Sequence, residues 1–302
     1  MRLFRALATL VTLAVVVAAC GTGAAQPSLT AGATQSAQVD PCKKVTFEVQ
    51  TYMAQIQRTG KFRAGVREDT PPFGRKNPTT NKFEGFDVDV VREIAKGLFN
   101  VGDDKVDSCI QFVPVVAATR IPSLNENKVD IIAATMTITA ARKKEIDFSD
   151  VYFRAGQRML VKKDNSSVNK PEDMNGKTVC AATGSASEQN ISKAAPQAKK
   201  LLLATYAECL TALEQDLTDV ISTDDVVLFG LVLQDANTKI VGPTFSDEPY
   251  GLGLKRDRIG WRDFVNRTLS RMFTDGTMKK LYDKSIKPLS GVEWTVPDNS
   301  QP

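Results

Sequence analysis

The stretch Gly85-Phe86-Asp87-Val88-Asp89-Val90-Val91-Arg92-Glu93-Ile94-Ala95 organises the reading of the chain around it. Val88, Val91, Ile94, Ala95 and Leu98 recur at helical spacing, so one face of a helix is apolar. Asp87 stands just before that run, where its carboxylate can cap the first free N–H groups. Asp89 puts negative charge in the first turn, which the helix dipole favours. The same two carboxylates could form a paired general acid and base, but capping accounts for both. Outward from this helix, short β-branched runs alternate with amphipathic stretches. Strands are predicted at Phe62–Val66, Ile110–Val115, Val129–Ala134, Arg158–Lys162, Thr178–Ala182, Leu201–Thr205, Asp219–Ser222 and Lys239–Val241. Helical periodicity links Val49, Tyr52, Met53 and Ile56, and again Val265, Leu269, Met272 and Phe273. The alternation implies α/β layers with mostly parallel sheets. The tail after Pro288 is polar and is expected to fray.

At 302 residues the chain can hold two ordinary domains. The formal charge of +4 falls to +2 once Arg2 and Arg5 are set aside. No basic run with interleaved aromatics is present, so nucleic acid is not expected as a partner. There is no histidine. That removes a Ser-His-Asp or Cys-His site and the commonest metal ligand. No metal, no cofactor and no catalytic residue are expected.

Arg2 and Arg5 precede an apolar run from Ala6 to Ala19, followed by Cys20. A positive start and a short apolar segment mark an export signal, too short for a comfortable membrane span. Val17-Ala18-Ala19-Cys20 resembles the bacterial lipobox, whose cysteine is acylated and becomes the new N-terminus. The other reading is an ordinary signal cut at an Ala-x-Ala-like site. The lipobox predicts a signal peptide over 1–20, lipidation at Cys20, and a protein held by lipid on the extracytoplasmic face of the cell membrane. Residues 21–44 are rich in Gly, Ala, Ser, Thr and Gln and read as a flexible tether. Export implies an oxidising compartment. Cys42, Cys109, Cys180 and Cys209 remain after Cys20, and four cysteines allow three pairings.

The opening stretch also resembles the signature of the family 3 extracellular solute-binding proteins, which serve ABC importers for polar amino acids. Other segments match in order. Asp69-Thr70-Pro71-Pro72-Phe73-Gly74 resembles the loop after the family's first strand. Val129 to Thr139, reading Val-Asp-Ile-Ile-Ala-Ala-Thr-Met-Thr-Ile-Thr, resembles the strand and loop that touch the ligand. Arg142-Lys143-Lys144-Glu145-Ile146-Asp147-Phe148-Ser149, Gly176-Lys177-Thr178-Val179, Ser222-Thr223-Asp224 and Pro249-Tyr250-Gly251 follow. The resemblance implies a type II periplasmic-binding-protein-like fold: two α/β lobes joined by two hinge strands. Lobe 1 would be 45–154 plus 249–302, and lobe 2, inserted, would be 157–246. The crossings would fall near Tyr152–Gly156 and Ser246–Tyr250. With that division, the pairings Cys42–Cys109 and Cys180–Cys209 each close within one lobe.

The resemblance also implies a ligand set. Arg142 aligns with the family's ligand arginine, and its planar fork suits an α-carboxylate. Thr137 would add a hydroxyl or backbone N–H to the same group, with Ala134 and Thr135 nearby. Thr183, Gly184, Ser185 and Ser187 lie at a helix start, where free N–H groups attract anions; simple N-capping is the other reading. Asp224 matches the acidic residue that takes the α-ammonium, or it caps the next helix, a duty Asp225 can share. Arg120 stands where relatives that look aspartate- or glutamate-specific carry arginine, and Arg67 is a second candidate cation unless Glu68 pairs it off. Phe73 and Tyr250 either line the pocket or belong to the core. Together these predict capture of glutamate or aspartate, with glutamine or asparagine as further ligands, by a monomeric receptor that delivers to ABC permease subunits. Ala117 and Ala182 depart from glutamine-type relatives. A sensor for a membrane kinase and a dehydratase-type enzyme on the same fold are the alternatives.

Overall fold

A computed structural model describes residues 40–302. The expected signal peptide, Cys20 and most of the tether lie outside the described residues. The last part of the predicted tether is ordered: Pro41–Lys43 forms a 3₁₀ turn whose Cys42 is buried and bonded to Cys109. No helix among the described residues is long and apolar enough to cross a membrane.

Ten strands make two sheets. They are β1 (Phe62–Val66), β2 (Ile110–Pro114), β3 (Ile131–Ala133), β4 (Asp147–Ala155), β5 (Gln157–Lys162), β6 (Thr178–Ala182), β7 (Lys199–Leu203), β8 (Val220–Asp224), β9 (Thr238–Val241) and β10 (Glu248–Leu254). The first sheet has the order β2-β1-β3-β10-β4 and the second β7-β6-β8-β5-β9. In each, three parallel strands are followed by one reversed strand in fourth place. The two reversed strands are those entered directly after a crossing between the sheets. At the crossing itself β4 and β10 pair, Ala155 with Glu248 and Phe153 with Tyr250.

Alternation along the strands explains why both faces of each sheet are covered. Ile131 and Ala133 join one apolar cluster while Ile132 and Ala134 join another. In the second sheet Cys180 and Ala182 face one cluster and Val179 and Ala181 the other. Strands buried on both faces read as continuous apolar runs, which is how they stood in the sequence. The covering helices are α1 (Tyr52–Thr59), α2 (Phe86–Phe99), α3 (Ala186–Ala194), α4 (Tyr206–Glu214), α5 (Asp225–Gln234), α6 (Trp261–Thr274) and α7 (Thr277–Ser285). On α2, Phe86, Val90, Ile94 and Leu98 are fully buried, each worth about 1.5–3 kcal/mol over exposure. A small sheet of Asp69–Thr70, Gly74–Lys76 and Phe83–Glu84 flanks β1 in the chain.

Several expectations need correction. Val49 is 71% exposed, because Thr51 caps α1 at the next turn by accepting from the Ala54 N–H. Asp87 caps nothing: Gly85 is the N-cap of α2, and the Asp87 carboxylate is buried and used elsewhere. Leu201–Thr205 shifts to Lys199–Leu203, since Lys199 and Lys200 pair with Thr178 and Val179 at the sheet edge. The C-terminal tail lies against β4 rather than fraying. The Asn299 side chain accepts from the Val151 N–H, Arg154 donates to Ser300, and Trp294 stacks on Phe273.

Candidate functional site

The carboxyl ends of all six parallel strands in the two sheets feed one narrow cavity. Arg67 follows β1, Ala117 and Arg120 follow β2, and Thr135, Thr137 and Arg142 follow β3. Across the cleft, Ser185, Ala186 and Ser187 follow β6, Tyr206 follows β7, and Thr223 and Asp224 end β8. These side chains close in on one another and leave a cavity of only about 20 Å³. A crevice outside the carboxyl ends of parallel strands is where open α/β sheets bind ligands. Larger hollows lie on the surface among the described residues, but they are lined mainly from one lobe.

Three guanidinium groups face the cavity, in different circumstances. Arg67 is fully buried and gives two hydrogen bonds to the Asp69 carboxylate, at 2.7 and 2.6 Å. The partner is thus Asp69 rather than the adjacent Glu68. Arg120 is 3% exposed and has only backbone partners, the carbonyls of Ala117, Ala134 and Thr135. Arg142 donates to the Thr137 carbonyl at 2.7 Å and, across the cleft, to the Gly184 carbonyl at 3.0 Å. Among the described residues neither Arg120 nor Arg142 has a carboxylate in salt-bridge reach. Burial holds the Arg120 guanidinium well below the usual arginine range, and the like charges of Arg142 and Arg67 add to this. Burial lowers Arg142 too, while Glu248 and Asp224 oppose the shift. A guanidinium withdrawn from water without an anion is costly.

The opposite charge comes from Asp224. Its Oδ2 accepts from the Tyr250 hydroxyl, and its Oδ1 is buried without a partner. Burial and then the nearby Glu248 push this carboxyl up to about 8, against the hydrogen bond from Tyr250. Asp224 does not cap α5 with its side chain; Asp225 instead accepts from the Val226 N–H. The Thr137 hydroxyl donates to Glu248 at 2.5 Å, so that donor is spent and only the backbone N–H of Thr137 is left for a ligand. Thr135 holds a left-handed backbone (φ 46°), uncommon for a β-branched residue. Its N–H donates to buried Asp87 at 2.8 Å, and its carbonyl accepts from Arg120. Asp87, which also accepts from Tyr152 at 2.6 Å, is pushed up to about 7 by burial against those two hydrogen bonds.

Of the residues singled out in the sequence, Arg142, Asp224, Arg120, Thr137, Arg67, Thr135 and Ser185 line this cavity. Ala134 touches it indirectly, through the carbonyl that holds Arg120. Two do not belong. Phe73 is fully buried among Phe86, Phe153 and Tyr250, because the chain turns inward there to cover the first core. Thr183 is exposed and bonds the Leu203 carbonyl, the strand beside it having the stronger claim on its hydroxyl. Ser185 does cap α3, accepting from the Glu188 N–H. Sequence reasoning missed Tyr206, Asp69 and Glu248. Tyr206 and Asp69 meet across the cleft, the Tyr206 N–H donating to Asp69 at 3.3 Å. The disulfides Cys42–Cys109 and Cys180–Cys209 both form. No cluster of acidic or cysteine side chains able to hold a metal occurs among the described residues.

Two α/β lobes facing each other across a charged cleft define a solute-binding protein of type II periplasmic-binding architecture. The chain belongs to the bacterial extracellular solute-binding proteins, family 3, which it matches over residues 62–288. It is 43% identical to the ABC transporter glutamine-binding protein of Bacillus subtilis, over 78% of this chain and 84% of that one. It is 32% identical to the glutamate-binding protein of Corynebacterium glutamicum, over 78% and 81%. Among solved structures it resembles an ancestral arginine-binding protein bound to glutamine, with a TM-score of 0.69 and 38% identity over 77% of this chain and 99% of that one. These relatives are binding proteins rather than enzymes.

Proposed function

We propose that this protein captures a free amino acid with an acidic side chain, L-glutamate foremost, and hands it to an ABC importer. The observation that carries the reading is the pair of carboxylate-free guanidinium groups, Arg120 and Arg142, sharing one cavity with the half-unpaired carboxylate of Asp224. In this reading the α-carboxylate lies on Arg142, replacing weaker carbonyl acceptors with a charge-assisted pair. The α-ammonium meets Asp224 Oδ1. The side-chain carboxylate meets the Nη2 of Arg120, which has no partner among the described residues. Arg67 contributes less than its position suggests, because Asp69 already balances it. A cationic side chain would face Arg120 and be rejected.

Glutamine is the second reading, favoured by the printed ligand of the Bacillus subtilis relative. Its amide oxygen could also accept from Arg120, but one guanidinium would stay without an anion. The chain is anchored through Cys20 on the extracytoplasmic face of the membrane; the support is the pattern Val17-Ala18-Ala19-Cys20 after an apolar run. Calorimetry on the chain from Gly21 onward tests the ligand. Glutamate should bind most tightly, then aspartate or glutamine, with no heat from arginine. Absence of heat with any acidic or amide amino acid would remove the proposal. Arg142→Ala should abolish binding of all of them.

A further inference from the structure

The segment after β1 runs along the mouth of the cleft and points successive groups at different neighbours. Asp69 reaches the start of α4 on lobe 2, and Phe73 turns back into the lobe 1 core. Between them the Pro71 carbonyl lies against Gly230, in the middle of α5. A Cβ on Gly230 would stand 1.7 Å from the Pro71 oxygen and 2.7 Å from its carbonyl carbon. Gly230 is buried, and its helical conformation does not require glycine. A glycine inside a helix costs about 1 kcal/mol relative to alanine, so local structure gives no reason for it. The contact across the cleft does.

We infer that Gly230 is the seat on which lobe 1 comes to rest, and that its missing side chain sets how far the cleft can close. This rests on the ligand being held between the lobes. Asp224 is the N-cap residue of the same helix, so the stop and the ammonium site move as one body. A methyl group at 230 must push the Pro71 backbone away by more than 1 Å to reach ordinary contact. Backbone oxygen, unlike a flexible side-chain end, cannot swing aside. The same displacement would stretch the 3.0 Å bond from Arg142 to Gly184 beyond hydrogen-bond range. A ligand spanning Arg142 and Asp224 would then lose one of its two ends.

The test is Gly230→Ala, with Gly97→Ala as control. Gly97 is also helical, but a Cβ there meets only side chains of the same lobe, Phe264 at 3.5 Å and Thr268 at 3.9 Å, both at ordinary contact distance. Calorimetry would use glutamate and glutamine as probes, and small-angle scattering would follow the radius of gyration. For Gly230→Ala, affinity should fall at least about 10-fold, the worth of one charge-assisted bond. Ligand-free melting temperature should hold or rise, because alanine favours the helix, and ligand-induced contraction should shrink. Gly97→Ala should keep wild-type affinity and contraction. A lower ligand-free melting temperature in Gly230→Ala with unchanged affinity would make the glycine a packing residue and overturn the inference, as would wild-type affinity and contraction. If the unaltered protein binds neither probe, the ligand assignment fails instead.

Discussion

Capture should expel a proton from Asp224, and the affinity should therefore rise with pH. In the ligand-free cleft this carboxyl titrates at about 8, because burial and Glu248 disfavour its charge. Asp225 adds to that repulsion, and Arg120 and the Tyr250 hydroxyl oppose it. An ammonium on Oδ1 favours the ionised form, so binding must first strip the proton. About half of the molecules are ionised at pH 8 and about 1% at pH 6, giving an affinity change of about 50-fold over that interval. In free energy this is on the order of 2 kcal/mol. Titration calorimetry at pH 6, 7 and 8, in buffers of different ionisation heat, reads both quantities. At pH 6 about one proton should appear in the buffer per ligand bound, and at pH 8 about half of one. Asp224→Asn should weaken binding and flatten the profile. A constant affinity from pH 6 to pH 8, with heats independent of buffer, would refute the assignment of the ammonium to Asp224.

Arg120→Met should weaken glutamate at least about 10-fold more than glutamine, since it removes the charge facing the side-chain carboxylate; equal losses would make Arg120 structural. Asp87 and Asp224 both have folded-state values raised above those of an open carboxyl. Their stabilising contribution is full at low pH and is lost as pH rises through about 7 to 8. The ligand-free melting temperature should accordingly fall between pH 5.5 and pH 8.5, measured by circular dichroism, and Asp87→Asn should reduce the fall; an unchanged slope would count against Asp87. Replacing Cys180 and Cys209 by serine opens a loop spanning 29 residues, a loss of about 3–4 kcal/mol on the chain-entropy account. Urea denaturation measures it, and a change below about 1 kcal/mol would mean the bridge adds little to stability.

Strands buried on both faces were the easiest to read. Phe62–Val66 and Thr178–Ala182 stand where their apolar runs begin and end. The two strands of the crossing were invisible to the same criterion. Asp147–Ala155 carries Asp147, Ser149, Asp150 and Arg154, while Glu248–Leu254 carries Pro249, Gly251 and Gly253. Their places followed from the family resemblance alone. The cavity shows the same division. Arg142, Arg120 and Asp224 stood beside recognisable motifs, but which guanidinium is already neutralised depends on a fold in the chain between Arg67 and Asp69. Asp87 illustrates the limit of local rules. A carboxylate before an apolar run is normally a cap, yet here Tyr152 and Thr135, distant in sequence, claim it.

The strand order also governs when each lobe can be completed during synthesis. The second sheet is built entirely from strands between Gln157 and Val241, with its own disulfide inside that span. It can assemble as soon as that stretch is available. The first sheet cannot, because β10, arriving last, sits between β3 and β4 and gives both their neighbour. Until residue 254 emerges, β4 has no partner in the sheet, and Phe148 and Val151 on one face and Phe153 on the other have an unfinished surface to pack on. The receptor is thus vulnerable at one interval of its biogenesis, with an open edge in the older half and a finished younger half already in place.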